Sequence, residues 1–117
     1  MQKMTKRTKD YEEYFVNMTK MAENDLIEIV DFIAQERPQT AKKVMERIRA
    51  KVYSLDHFPE RGGYVPELLA RNIKTYRQLI ELPWKIIYRV DGKTVNILAI
   101  VDSRRNLQDI LIKKLLK

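Results

Sequence analysis

The run from Trp84 to Asp102 constrains the fold more than any other part of the chain, because it reads as a β-hairpin. Two stretches rich in β-branched and aromatic residues flank Asp91-Gly92, a strong hairpin signal, since both central residues of a type I′ turn need positive φ. The two strands are then antiparallel neighbours. Side chains alternate along a strand, so Trp84, Ile86, Tyr88 and Val90 share one face and Lys85, Ile87 and Arg89 the other. One face asks for a core and the other offers cations.

Upstream of the hairpin the apolar period changes from two to 3.6. Leu26, Ile29, Val30 and Ile33 recur at helical spacing after Thr19, a candidate N-cap, and the run stops near Glu36-Arg37-Pro38. A second helix starts at Pro38 with Ala41, Val44, Ile48, Val52 and Leu55 on one stripe, and ends before Phe58-Pro59. The pair makes an antiparallel helical hairpin whose stripes need the sheet that follows. Tyr14 to Met18 is a short strand candidate, and Glu60 to Tyr64 a loop. Pro66 to Ala70 suits a single helical turn, and 74–80, 84–90 and 94–102 form three successive antiparallel strands. After Ser103, the spacing of Leu107, Ile110, Leu111 and Leu115 predicts a short amphipathic helix. The expected fold class is therefore α+β, an N-terminal helical hairpin packed on a small twisted antiparallel sheet, with a short C-terminal helix. At 117 residues, one domain over 14–117 is expected, preceded by a flexible arm at 1–13 without an apolar period.

The formal charge of +7 is uneven. Residues 1–73 hold 13 Lys and Arg against 12 Asp and Glu, and residues 74–117 hold 10 against 4, an excess of +1 and then +6. A basic C-terminal half favours a polyanionic partner, nucleic acid or an acidic polypeptide. With no cysteine and one histidine, a thiolate or multi-histidine metal site is not expected, nor is a cofactor. No apolar run approaches the ~20 residues that span a bilayer, so a cytoplasmic protein without a membrane partner is expected.

Few residue sets could carry chemistry. His57 reads as a capping or surface residue, and no Ser-His-Asp set is visible. Glu81 and Asp102 lie at strand ends whose separation the sequence does not fix, so they make no persuasive carboxylate pair. The cations Arg77, Lys85, Arg89, Arg104 and Arg105 come from three adjacent strands or their ends and are expected to converge on one side of the sheet. Guanidinium forks suit phosphate, and a partly desolvated lysine can approach a base's working pKa, the roles that cleavage of RNA through its 2′-hydroxyl requires.

The ordered series Ala22-x-x-Asp25-Leu26-x-x-Ile29-x-x-Phe32-Ile33, Phe58-Pro59-Glu60-x-Gly62, Tyr76-Arg77-x-Leu79, Lys85-Ile86-x-Tyr88-Arg89-Val90 and Ile97-Leu98-x-Ile100-x-Asp102-Ser103-Arg104-Arg105 resembles the RelE/ParE superfamily of toxins. That resemblance implies the toxin of a type II toxin–antitoxin pair, neutralised by a cognate antitoxin that wraps it. RelE-like members cut messenger RNA in the ribosomal A site, whereas ParE-like members stall DNA gyrase without cleaving nucleic acid. The charge asymmetry inclines the reading towards the ribosome and mRNA. Carried over from RelE, the catalytic positions fall on Arg77, Lys85 and Arg104, with Lys74, Arg89 and Arg105 as further contacts to RNA or another target. The match is incomplete, for a further lysine of that site falls on Leu79, and the usual C-terminal tyrosine or histidine has no counterpart among Asn106 to Leu111. The helical hairpin and the apolar tail look ParE-like, so gyrase inhibition is the alternative, and a non-toxic binding or co-repressor module the third. An apolar C-terminal helix left partly exposed at Leu111 and Leu115 would favour self-association without the antitoxin.

Overall fold

A computed structural model describes residues 12–116. The expected arm falls mostly outside them, and Glu12 and Glu13 are exposed and irregular. In chain order the elements are β1 (Phe15–Met18), α1 (Lys20–Ala34), α2 (Pro38–Tyr53), β2 (Gly63–Tyr64), α3 (Pro66–Leu69), β3 (Arg77–Glu81), β4 (Trp84–Asp91), β5 (Thr94–Asp102) and α4 (Leu107–Leu115), with single 3₁₀ turns at Ser54–Asp56 and Pro59–Arg61. The sheet has five strands in the order β1-β5-β4-β3-β2.

Local chemistry explains most of these boundaries. The Thr19 hydroxyl accepts from the Ala22 N–H at 3.3 Å, capping α1, and donates to the Ile97 carbonyl at 2.6 Å, pinning that end to β5. Pro38 occupies the first turn of α2, where no N–H is needed. The hairpin turn is centred on Gly92-Lys93, since Asp91 pairs with Thr94. Among the turn residues only Gly92 has positive φ, at 61°, which is the pattern of a type II′ turn rather than the expected type I′ turn on Asp91-Gly92.

The sheet is mixed rather than wholly antiparallel, because β1 pairs with β5 in parallel, Phe15 opposite Thr94 through Met18 opposite Ile97. The loop expected at Glu60 to Tyr64 contributes a two-residue strand, β2, paired with β3. Strand β3 begins at Arg77, later than the alternation from Lys74 suggested.

Both faces of the sheet are covered. On the first, Ile86, Tyr88, Val95 and Ile97 pack under Leu26, Val44, Ile48 and Val52 of the helical hairpin. On the second, Ile87, Ala99 and Val101 pack with Val65, Leu68, Tyr76, Leu107 and Leu111. The face expected to offer cations is thus a second, smaller core. Leu111 is fully buried there and Leu115 only partly, so the condition stated for self-association holds at Leu115 and not at Leu111. A register shift at Ile87/Tyr88 leaves Leu98 as the extra residue on β5 and preserves the alternation on both sides of it.

Candidate functional site

The expected convergence of cations does not occur. Arg77 lies opposite Tyr88 in the β3–β4 ladder and so shares the first face, whereas Lys85 lies opposite Ile80 and Val101 on the second. A one-residue step along a strand reverses the side chain, and this parity separates the two. Arg104 follows Asp102, which lies opposite Trp84, four residues from Tyr88 and so about 13 Å away along the strand. Arg77 and Arg104 therefore occupy different corners of the first face.

Internal partners occupy most of these groups. The Arg77 guanidinium donates to the carbonyls of Gly62 at 2.7 Å and Glu60 at 3.2 Å, and stacks over Tyr64 at 4.7 Å. Lys85, whose side chain is 13% exposed, pairs with Glu67 of α3 at 3.6 Å. Arg104 forks onto both oxygens of Asp102, at 2.9 and 2.6 Å, and its backbone N–H donates to the same carboxylate. Its side-chain and then its backbone hydrogen bond hold the Asp102 carboxyl at about 2, and Asp102 in turn raises the pKa of Arg104. Arg89 pairs with Asp91 at 3.0 Å, which raises its pKa, while Asn96 and then Arg89 lower that of Asp91. Lys74 sits exposed in the loop before β3, and Arg105 exposed in the turn after β5.

The remaining candidates are also accounted for. His57 Nδ1 lies 3.0 Å from Asp56. Glu81 and Asp102 flank β4 at the same end of the sheet, but Glu81 is held by Arg47 and Lys51, and Asp102 by Arg104. Neither carboxylate is free for acid–base work.

What the fold does assemble is a groove of about 590 Å³ between the C-terminal half of α1 and the ends of β4 and β5, walled by Ile29, Phe32, Ile33 and Trp84 and rimmed by Arg104 and Arg105. Phe32 is 75% exposed at its mouth. Sequence reading passed over this groove, although Phe32 carried a signal. It falls beside the Leu26, Ile29, Val30, Ile33 stripe, and a large aromatic residue off the buried stripe of an amphipathic helix marks a surface that meets something else. Two further tying residues were also missed. Asp25 accepts from the Ile100 N–H and from Lys114 Nζ, both at 2.9 Å, joining α1, β5 and α4. The Tyr88 hydroxyl donates to the Pro59 carbonyl at 2.6 Å and accepts from the Gly62 N–H at 3.1 Å, and burial raises its pKa.

A helical hairpin on one face of a mixed five-stranded sheet, with a short C-terminal helix on the other, defines a RelE/ParE superfamily toxin. Residues 16–107 match the family described as the ParE toxin of the type II toxin–antitoxin system parDE, and the chain belongs to that family. Among solved structures it is similar to a chain of the chromosomal ParDE toxin–antitoxin system from P. aeruginosa, at 26% identity and a TM-score of 0.65, covering 78% of this chain and 97% of that one. It also shares the fold of a chain of the RelBE2 toxin–antitoxin complex from Mycobacterium tuberculosis, at 22% identity and a TM-score of 0.51, covering 77% and 98%. A search among curated proteins finds no match. No helix among the described residues is long and apolar enough to cross a membrane.

Proposed function

We propose that this toxin inhibits growth by occupying a protein target, with DNA gyrase the target that the ParE resemblance implies, and that a cognate antitoxin neutralises it. The observation that carries this reading is the division of Arg77 and Lys85 between opposite faces of the sheet. Ribosome-dependent mRNA cleavage needs several cations around one phosphate and a general acid and base, each typically contributing ~10² to 10⁴-fold. Here those cations are dispersed and held by Glu67, Asp102 and the Gly62 carbonyl. A binding toxin needs instead an exposed apolar surface, and the groove beside Phe32 supplies one. The ParE family match and the ParDE structural neighbour point the same way.

The RNA reading retains one observation in its favour, the +6 excess of residues 74–117, with Lys74 and Arg105 exposed within it. Expression of the chain without its antitoxin separates the two. Intact transcripts in primer extension, together with gyrase-dependent DNA breaks and SOS induction, support target binding. Codon-phased cuts in translated mRNA with undamaged DNA would reverse the assignment.

A further inference from the structure

The outer surface of the helical hairpin is divided by charge. Helix α1 holds one Lys against four Asp and Glu, and α2 five Lys and Arg against one Glu, formal charges of −3 and +4 that nearly cancel. Several of these groups are engaged within the molecule, Glu23 with Arg49, Asp25 with Lys114, and Arg47 and Lys51 with Glu81. Glu28 and Asp31 of α1 and Lys42 and Lys43 of α2 are exposed and make no ion pair among the described residues. Among them stands Ile27, 49% exposed where Leu26 beside it is 2% exposed.

The Arg49–Glu23 pair, at 3.6 Å, fixes the register of the two antiparallel helices. Counted from it, Asp31 lies level with Ala41 and next to Lys42, Glu28 level with Val44 and next to Lys43, and Ile27 level with Met45. At about 100° per residue, Ile27, Asp31 and Lys42 fall within about 80° of the Glu23–Arg49 contact and lean towards the crevice between the helices. Glu28 and Lys43, at about 140° and 120° from it, lean to the outer sides. We propose that the outer faces of two copies of this chain pack about a two-fold axis parallel to the helices, α1 of each lying over α2 of the other. Such a rotation keeps every residue at its level and exchanges the helices, so the surface is its own complement. Asp31 then meets Lys42 of the second copy, Glu28 meets Lys43, and the two Ile27 side chains approach each other at the axis. Glu46, the one anion of α2, falls between Asn24 and Ile27 of the second copy.

Charge decides the occupant. A nucleic acid or an anionic membrane is drawn to α2 and repelled by α1 beside it, whereas the same surface turned through half a turn matches both. The +6 excess of residues 74–117 does not oppose this pairing, because it lies on β3, β4, β5 and α4 rather than on the hairpin. Phe32, one step round the helix from Asp31, points to the flank that carries the groove, and of the contacting residues only Glu28 borders that groove. The inference is therefore independent of the target reading. Two helices about 24 Å long and about 10 Å apart present roughly 500 Å² per copy, short of the ~800 Å² of a standard interface, so dissociation is expected at roughly 10 to 100 µM.

Sedimentation equilibrium of the full chain from about 1 to 500 µM tests this, with the average mass rising from that of one chain towards that of two. Raising NaCl from about 0.05 to 1 M should weaken the dimer at least about tenfold. Asp31→Lys and Lys42→Asp each set like charges against one another at both symmetry-related contacts, and each alone should stay monomeric up to about 500 µM. Mixed in equal amounts the two variants should pair, because each carries the sign the other lacks, and misfolding cannot produce that recovery. A wild-type chain with the mass of one copy at every concentration overturns the proposal. So does a dimer that neither substitution weakens, which is then held elsewhere, as through Leu115, and so do two folded variants that fail to pair. Should either variant not fold, the salt dependence and the loss of the dimer in Ile27→Glu decide.

Discussion

The two faces of the sheet bury apolar side chains by different means. The first packs Ile86, Tyr88, Val95 and Ile97 against two long helices, and the buried Tyr88 hydroxyl has two partners. The second packs Ile87, Ala99 and Val101 under one turn of α3 and the nine residues of α4, and it admits an ion pair, Lys85 with Glu67. Glu67 Oε1 and Gln78 Oε1 there lack hydrogen-bond partners among the described residues. The difference teaches that a cation on a strand is a surface cation only if nothing covers its face. A short covering layer turns Lys85 from a free charge into a tie between α3 and β4.

The largest effects should come from deleting side chains in the two cores. Ile48→Ala on the first face and Leu111→Ala on the second should each lower unfolding free energy by about 2–5 kcal/mol, measured by urea denaturation, because both residues are fully buried. A loss below about 1 kcal/mol for Leu111→Ala would break the comparison, reducing α4 to a lid that frays without consequence for the rest.

Next in size is the polar lock of the first face. Tyr88→Phe leaves the Pro59 carbonyl and the Gly62 N–H without their partner and should lower stability by about 1–3 kcal/mol. Gly62→Ala should be at least as harmful, since its Cβ would lie 2.4 Å from the Tyr88 hydroxyl and 2.5 Å from the Gln78 carbonyl, the latter backbone and unable to swing aside. Equal stability of wild type and Tyr88→Phe would mean that water satisfies those groups and that the 58–64 segment is held by Arg77, Arg61 and the β2–β3 pairing instead.

On the second face, Lys85→Met keeps most of the apolar stem but strands Glu67, and should lower stability by roughly 1 kcal/mol, between the values for exposed and buried pairs. Adding Glu67→Gln should restore part of that loss. The same substitution sharpens the functional reading, because toxicity that survives Lys85→Met at full expression excludes a catalytic role for that amine, and toxicity abolished without any change in melting would restore one.

Much of this fold was legible before any coordinates. The β-branched runs around Gly92, the two 3.6-period stripes, the cap at Thr19 and the first-turn proline at Pro38 all encode local structure, and each appears as expected in kind. The misread features depend on relations across the chain. Ile87 alternates with Ile86 and Tyr88, and only the return of α3 and α4 makes both faces apolar. Parallel pairing of β1 with β5 joins residues 79 apart, which no local pattern announces. For the site, the residue types of the cationic set could be read, but its convergence could not. That depended on strand parity and on whether Glu67, Asp102 and the carbonyls of Glu60 and Gly62 would claim the charges first.

The smallest expected effect concerns the Asp102–Arg104 pair. In the folded chain the Asp102 carboxyl titrates at about 2, against an ordinary 3.8, so it binds its proton less readily than in the unfolded chain. Its contribution to stability is therefore present above about pH 4 to 5 and is lost as pH falls towards 2. Arg104 is 72% exposed, so the contribution is slight and is best followed by carboxyl NMR rather than by melting. Arg104→Gln should move the Asp102 titration upward towards 3.8, without reaching it, because the backbone N–H of residue 104 still donates. The pair also separates the two functional readings. If Arg104 orients an RNA phosphate it must first leave Asp102, so Asp102→Asn, which loosens that hold, should increase mRNA cleavage. If the chain acts by occupying a protein target, Asp102→Asn should leave transcripts intact and alter only the rim of the groove beside Trp84 and Phe32.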